Sequence, residues 1–409
     1  MTLYGEPQYL ILKKMKVILS IFLFLIILCS CGHRDTSKIY NRGLDFSDQK
    51  KYNSAIAEFD SVINISPQFG DAYFNRGTAE AKINHFNDAI NDYSKAIELK
   101  YNYAVVYYNR GISEYKLRKY KDAIADFTKA IEIKSVYDAD AFNNRGSAKR
   151  ELHEYKEAIE DYDRTIQIRP GFAEAYVNRG LVEEEIKEYK EAIFDYGKAI
   201  ELRPDYINAY NDRGCVNYYL KEYNKAISDY SKAIELKPDY IGAYCNRGNA
   251  KRMLNEYNEA YYDYKKALSL SSDDMYTCIC FGMYYFQTNQ LDSAIYITKK
   301  GLTYDSLNVP LNDNVGWFYF EKGENEKASI YFKKCLTVDG EKFDALLGMA
   351  SFSYLKHDLV KSKKYFDEAI SEEPLLNEEI NVLTVTEKDH RPFSEKKKNL
   401  LKKMFVDLK

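Results

Sequence analysis

A 34-residue period runs from about residue 36 to residue 376 of this 409-residue chain. The dipeptide Arg-Gly recurs at Arg42-Gly43, Arg76-Gly77, Arg110-Gly111, Arg145-Gly146, Arg179-Gly180, Arg213-Gly214 and Arg247-Gly248, every step being 34 residues except one of 35. Continuing by 34 lands on Gly282, Gly316 and Ala350. Twelve residues after each of these small residues stands Ala55, Ala89, Ala123, Ala158, Ala192, Ala226, Ala260, Ala294, Ala328 and finally Ser362. Four residues further on comes an aromatic in nine of ten units, among them Phe59, Tyr162, Tyr230 and Phe366, with Thr298 the exception. A fixed period of this length means stacked copies of one supersecondary unit, each contacting mainly its neighbours.

Each unit carries two apolar-periodic segments of about 14 residues joined by a polar turn, as in 207–220 and 224–236. Two helices that cross closely need small residues at the contact, which the recurring Gly and Ala supply. A bulky replacement for such an Ala should cost about 1–3 kcal/mol by overpacking. The surplus of Tyr, 39 residues against only 8 Pro, is then packing material repeated many times.

This spacing resembles the tetratricopeptide repeat. The resemblance implies an all-α fold, a right-handed superhelical solenoid of ten helix-turn-helix units: 36–69, 70–103, 104–138, 139–172, 173–206, 207–240, 241–274, 275–308, 309–342 and 343–376. Its concave face would be lined by the first helix of each unit. Where the family has Trp at place four of the repeat, this chain has Tyr or Phe, as at Tyr73, Tyr107, Phe142 and Tyr176; units one and eight to ten lack even that. Aromatics at places four, seventeen and twenty-four are expected to fill the gaps between neighbouring helices.

Place seven is Arg in the first seven units, and place twenty-three is then always acidic: Glu58, Asp92, Asp126, Asp161, Asp195, Asp229 and Asp263. In the last three units place seven becomes Phe281, Val315 and Met349 while place twenty-three becomes Ile297, Tyr331 and Tyr365. Both charges disappear together, as expected of an ion pair that bridges the two helices of a unit, because an orphaned buried charge is costly. Inheritance by duplication would leave the same pattern.

Place six reads Asn41, Asn75, Asn109, Asn144, Asn178, Asp212 and Asn246, then Cys280 and Asn314. Asn is a poor mid-helix residue, so its recurrence needs a reason. The resemblance puts place six on the concave groove, where an amide ladder can both donate to and accept from the main chain of an extended peptide. The seven residues from Asn41 to Asn246 are therefore the expected partner-binding set. Internal bonding to the neighbouring helix is the competing explanation. Nearby Glu80, Glu114, Glu183 and Glu184 alternate with Lys149, Arg150, Lys251 and Arg252, a mixture expected of a solvated face.

The chain front reads as an export signal. Lys13, Lys14 and Lys16 precede an apolar run from Val17 to Leu28, broken only by Ser20. That run covers roughly 18 Å, short of a bilayer core of about 30 Å. Leu28-Cys29-Ser30-Cys31-Gly32 follows and looks like a bacterial lipoprotein lipobox. By that resemblance residues 1–30 are the signal peptide, with Met15 an alternative start, and Cys31 is the acylated first mature residue. Residues 32–35 would be a short tether. Gly32, rather than Asp, favours an outer membrane. The expected place is thus the bacterial cell envelope, outside the cytoplasm, with the lipid bilayer as one partner.

Other classes of function find little to carry them. Net charge is −3 with a pI near 6.1, which offers no basic field for nucleic acid. Cys278-Ile279-Cys280 has no second pair at zinc spacing, so no metal is expected. Cys215, Cys245, Cys278, Cys280 and Cys335 leave disulfide pairing open. Phosphate loops, nucleophile elbows and His-Glu-x-x-His segments are missing, so neither an enzyme nor a cofactor or small-molecule substrate is expected. Residues 377–409 should cap the array, Leu400, Leu401, Met404, Phe405 and Leu408 forming one side of a last helix. The expected function is a membrane-tethered scaffold holding a protein or extended peptide in its groove. The alternative is an accessory assembly subunit of an envelope enzyme or secretion complex, acting through the convex face or units eight to ten.

Overall fold

The computed structural model describes residues 36–133, 138–338, 340, 342–372 and 395–408; the expected export signal over 1–30, Cys31 and the expected tether over 32–35 lie outside them. These residues form 21 α-helices and no strand. They fall into two compact units, Met1–Arg203 and Pro204–Lys409.

The first unit holds ten helices: α1 (36–48), α2 (Tyr52–Ile65), α3 (Gly70–Lys82), α4 (Phe86–Glu98), α5 (Ala104–Lys116), α6 (Tyr120–Ile133), α7 (Asp138–Glu151), α8 (Tyr155–Ile168), α9 (Ala173–Glu185) and α10 (Tyr189–Leu202). The second holds α11 (Ile207–Tyr219), α12 (Tyr223–Leu236), α13 (Ile241–Met253), α14 (Tyr257–Leu270), α15 (Met275–Gln287), α16 (Leu291–Gly301), α17 (Val309–Lys322), α18 (Asn325–Leu336), α19 (Phe343–Leu355), α20 (Leu359–Glu372) and α21 (Glu395–Leu408). Within each unit consecutive helices pack on one another, and the first helices of successive repeats also touch.

One turn geometry joins the two helices of every repeat. The place-fifteen residue is left-handed throughout, from Lys50 at φ 59° and Asn84 at 64° to His357 at 59°, with Gly323 (88°) in repeat nine. In all ten repeats the place-sixteen N–H donates to the place-eleven carbonyl at 2.7–3.0 Å, the Schellman closure of a helix end. A non-glycine residue in that conformation costs about 1–2 kcal/mol, which the closing bond helps offset.

The core of repeats one to seven and nine is the place-twenty-four ring lodged under the place-eight glycine. Phe59, Tyr93, Phe127, Tyr162, Tyr196, Tyr230, Tyr264 and Phe332 are all fully buried. At seven of the glycines an added Cβ would stand 2.5–2.9 Å from that ring, as Gly180 would from Cε1 of Tyr196. The glycine is therefore required by the ring. Buried tyrosine hydroxyls find partners on the first helix: Tyr162 donates to Ser147 at 3.2 Å and Tyr264 to Asn249 at 2.9 Å. Repeat eight, with Thr298, instead packs Phe286 against Phe318 at 4.9 Å.

The charged crossing is present in all seven repeats that carry it. Arg76, Arg110, Arg145, Arg179, Arg213 and Arg247 each donate twice to their aspartate at 2.6–3.0 Å, in the two-pronged geometry a guanidinium favours. Arg42 meets Glu58 once, at 2.5 Å. The aspartates are buried. Two further contacts of the same arginines were not legible. Their third nitrogen crosses to place twenty-five of the preceding repeat: Arg76 to Asp60, Arg110 to Ser94, Arg145 to Thr128, Arg179 to Asp163 and Arg247 to Ser231. In addition, each guanidinium except that of Arg42 lies 5.1–5.9 Å from the place-four ring of its own helix. Place-four aromatics thus cover the arginine as well as packing between helices, as Tyr244 does in the core with Ala260 and Cys280 and Tyr73 does against Tyr93 and Val106.

Repeats eight to ten replace this crossing with carbon. Phe281, Val315 and Met349 are buried; Phe281 packs with Tyr264 and Tyr284, and Met349 joins a core that gathers Trp317, Phe318, Phe320, Phe332 and Phe366. Helix α21 closes it: Leu401, Met404, Phe405 and Leu408 are buried, with Phe405 edge-on to Phe366 at 4.6 Å. Lys363 Nζ donates to the Leu408 carbonyl at 2.7 Å. The five described cysteines are all free thiols. No helix among the described residues is long and apolar enough to cross a membrane.

Asp195 is 1% exposed in its side chain, so Arg179→Ala should destabilise the array by about 3 kcal/mol, the cost of stranding a buried charge. Adding Asp195→Ala should give back about 1–3 kcal/mol of that loss in urea denaturation; simple addition of the two losses would exclude the pair.

Candidate partner-binding site

Place six sits on the first-helix layer of both units. Asn41 is exposed, and Asn75, Asn109, Asn144, Asn178, Asp212 and Asn246 are half-buried. Several of these amides are already engaged. Their donors point to place five of the preceding first helix: Asn75 to Tyr40 Oη at 2.7 Å, Asn144 to Tyr108 Oη at 3.1 Å, Asn178 to Asn143 Oδ1 at 3.0 Å and Asn246 to Asn211 Oδ1 at 3.2 Å. The ladder therefore ties successive first helices together. Asp212, which takes the amide's place once, is pushed up to about 6 by burial, a bond from Asn211 working the other way.

Beside the ladder, the same places of the repeat open a hollow in each unit. In the first unit about 350 Å³ is enclosed by Ile112, Tyr115, Lys116 and Phe127 of repeat three, Asn144, Ser147 and Arg150 of repeat four, and Glu174 and Asn178 of repeat five. In the second unit about 100 Å³ is enclosed by Cys215, Tyr218, Tyr219, Tyr230, Asn246, Asn249 and Tyr276. The correspondence is place by place: nine, twelve, thirteen and twenty-four of one repeat, six and nine of the next, two of the third. Where the first unit has Glu174, the second has Tyr276, which donates to Asn246 Oδ1 at 2.8 Å. The first hollow is thus larger and ringed by mixed charge, the second smaller and walled by phenols. Only place six was singled out from the sequence; the other lining places vary too much from repeat to repeat to be seen as a set.

The charges of place eleven do not form a solvated face. Lys149 meets Asp161 at 2.7 Å and Lys251 meets Asp263 at 2.8 Å, both joining the crossing beside an arginine. Asn217 donates to Asp229 at 3.2 Å. In repeats two, three and five the same place holds an acid, Glu80 bonding His85 in the first of these. Glu114 and Glu183 are buried, each with Oε2 lacking a hydrogen-bond partner, and face Asp126 and Asp195. Burial, then the neighbouring aspartate, pushes each of these carboxyl groups up to about 8. Arg252 is buried as well, donating to Gln287 at 2.7 Å. Among the described residues one group, Glu80, His85 and Asp88, brings three possible metal-ligating atoms within 4.8 Å of one another; it is largely exposed, and Glu80 already bonds His85 at 2.8 Å.

The Glu183 proton has a testable consequence. The unfolded chain loses it near 4.5 and the folded chain only near 8, so its effect is to lower stability as pH rises between those values and to level off above. Glu183→Gln should match the parent at pH 5 and exceed it by about 1–3 kcal/mol at pH 8 in thermal unfolding; a constant difference across that range would remove the buried acid pair.

Comparison with known proteins agrees with the geometry. Tetratricopeptide repeat models match residues 104–135, 139–172, 173–206 and 242–274, and 70–103 and 309–342. A TPR repeat model matches 216–254, and together these cover more than half of the chain. No curated protein matches the sequence. Among solved structures, MamA is 30% identical over 40% of this chain and 94% of its own, with a TM-score of 0.38. YrrB, described as a TPR protein with an unusual peptide-binding site, is 25% identical over 45% of this chain and 95% of its own, with a TM-score of 0.39. A tetratricopeptide repeat protein from Parabacteroides merdae is 18% identical over 59% of this chain and 95% of its own, with a TM-score of 0.52, and shares the fold. The chain belongs to the tetratricopeptide repeat family, an all-α repeat array of the kind that serves as a protein-interaction scaffold.

Proposed function

We propose that the chain is a membrane-tethered adaptor that holds an extended segment of a partner protein along its first-helix layer. The observation that carries this reading is the hollow formed by identical places in both units. Its first copy has an aromatic and aliphatic floor, Ile112, Tyr115 and Phe127, inside a rim of Lys116, Arg150 and Glu174. Such a hollow suits an apolar side chain flanked by charged neighbours, while the oxygens of half-buried Asn144 and Asn178 can accept from main-chain N–H groups. Acylation of Cys31 would keep the array against a bilayer, since lipid chains add about 0.8 kcal/mol per buried CH₂. The competing reading places the partner on the second-helix face or on repeats eight to ten, where the crossing is apolar.

Affinity capture from solubilised membranes separates the two. A combined Asn109→Ala, Asn144→Ala and Asn178→Ala variant, shown to melt as a folded helical array, should lose the partner recovered with the parent. Retention of that partner would move the site to the other face. Cys31→Ser should shift the chain out of the membrane fraction while leaving groove binding intact; a chain that fractionates unchanged would remove the tether.

A further inference from the structure

The second-helix face of repeats seven, eight and nine differs from that of the other repeats in two independent ways. The first concerns place twenty-two. In repeats one to four and six it is Ala57, Asn91, Ala125, Glu160 and Ser228, and repeat five has a single exposed ring there, Phe194, with Lys198 Nζ 5.7 Å from its centre, whereas repeats seven to nine have Tyr262, Tyr296 and Ile330 in succession. These three are exposed at 69%, 72% and 55%. They recur at one place of three adjacent repeats within the second unit, on α14, α16 and α18.

The second difference lies one helical turn further on. In repeats two, three, five and six the place-twenty-six lysine is neutralised by a glutamate three residues later: Lys95–Glu98, Lys129–Glu132, Lys198–Glu201 and Lys232–Glu235, at 2.6–2.9 Å. In repeats seven to nine that glutamate is Ser269, Thr303 or Thr337, whose hydroxyl donates to the lysine's own backbone carbonyl at 2.7–2.8 Å. At the same time a second lysine appears at place twenty-five. The result is three pairs, Lys265-Lys266, Lys299-Lys300 and Lys333-Lys334, none of which forms an ion pair among the described residues. The acids at the far end of two of these helices are engaged elsewhere, Asp292 by Lys322 and Glu326 by Lys356. Lys300 alone has an acid, Asp273, in its field. In repeat ten the pattern ends, and Lys363 and Lys364 again meet Asp367 and Glu368.

We infer that this face docks on an anionic bilayer surface. Each ring or branched side chain stands three and four residues before a lysine pair, so apolar groups and ammonium groups share one helix face. At a membrane interface the tyrosines and the isoleucine enter the headgroup layer while the lysines reach lipid phosphates. A polyanion without an apolar layer would use the lysines and leave Tyr262, Tyr296 and Ile330 without a role. The surface is separate from the first-helix layer and does not depend on an acyl chain at Cys31.

The test uses the full chain and sedimentation with vesicles of phosphatidylcholine alone or with three parts in ten phosphatidylglycerol. Binding through the chain front is common to every variant and to both vesicles, so the readout is the extra binding that phosphatidylglycerol confers. The parent should bind the anionic vesicles at least tenfold more tightly, with the excess falling as salt rises. Changing all six lysines to Gln should bring anionic-vesicle affinity down to that for phosphatidylcholine alone, a loss of at least tenfold, since each lysine contributes roughly five-fold. Tyr262→Ser, Tyr296→Ser and Ile330→Ser together should abolish most of the excess. The control Lys95→Gln, Lys129→Gln and Lys232→Gln removes lysines that are paired and should change nothing. A surface reporter, Tyr296→Trp, should blue-shift on anionic vesicles against the fully buried Trp317 background. Equal binding to both vesicles, full retention in the six-lysine variant, or full retention in the serine variant would each overturn the inference, the last by reducing the face to a bare polyanion site.

Discussion

In eight of the ten repeats the packing is arranged around a ring pressed against a glycine. The place-twenty-four side chain of the second helix needs the space that a Cβ would take on the first, and in exchange the two helices approach closely enough for an arginine to reach across beside it. Close approach buries the aspartate, and burial makes the arginine indispensable. The place-four ring then shields the guanidinium from one side. Packing and charge are thus one device. Where the ring is absent, at Thr298, the arginine is absent too, and Phe281 in its place stacks on Tyr264 of the preceding repeat at 5.4 Å.

The same arginine also fixes how one repeat sits on the next. Its remaining nitrogen reaches an acceptor on the preceding second helix, and the place-six amides tie consecutive first helices. The junctions between repeats one and two, three and four, four and five, and six and seven are therefore held by polar contacts on two layers, with the apolar core between. Such contacts hold place nine, twelve and two of three successive repeats at constant offsets, and the hollows arise from those offsets. The site is a by-product of the way repeats are joined.

Much of this was legible in the sequence, for physical reasons. The period, the small residues and the rings are read directly because every copy obeys the same steric rule. The ion pair is readable because its two charges vanish together at Phe281 and Ile297. The third arginine contact was hidden, since Asp60, Ser94 and Thr128 look unrelated until geometry shows that each is merely an acceptor. Glu114 and Glu183 misled for a similar reason: their neighbours in register are Lys149 and Lys251, which suggests a wet, alternating surface rather than a shared buried place. The hollows were beyond reach, because their lining changes chemistry from Glu174 to Tyr276 while keeping its position.

Because the junction contacts accept more than one partner, array length is weakly specified. Excising the 34 residues from Ala139 to Phe172 would bring Arg179 opposite Thr128 instead of Asp163, and Thr128 is the group that Arg145 already uses. Unequal crossing-over between the near-identical early copies can therefore lengthen or shorten the ribbon without creating a mismatched seam. The carbon-rich terminal block under α21 has no such interchangeable parts, and it anchors one end of a protein whose other dimension is free to drift.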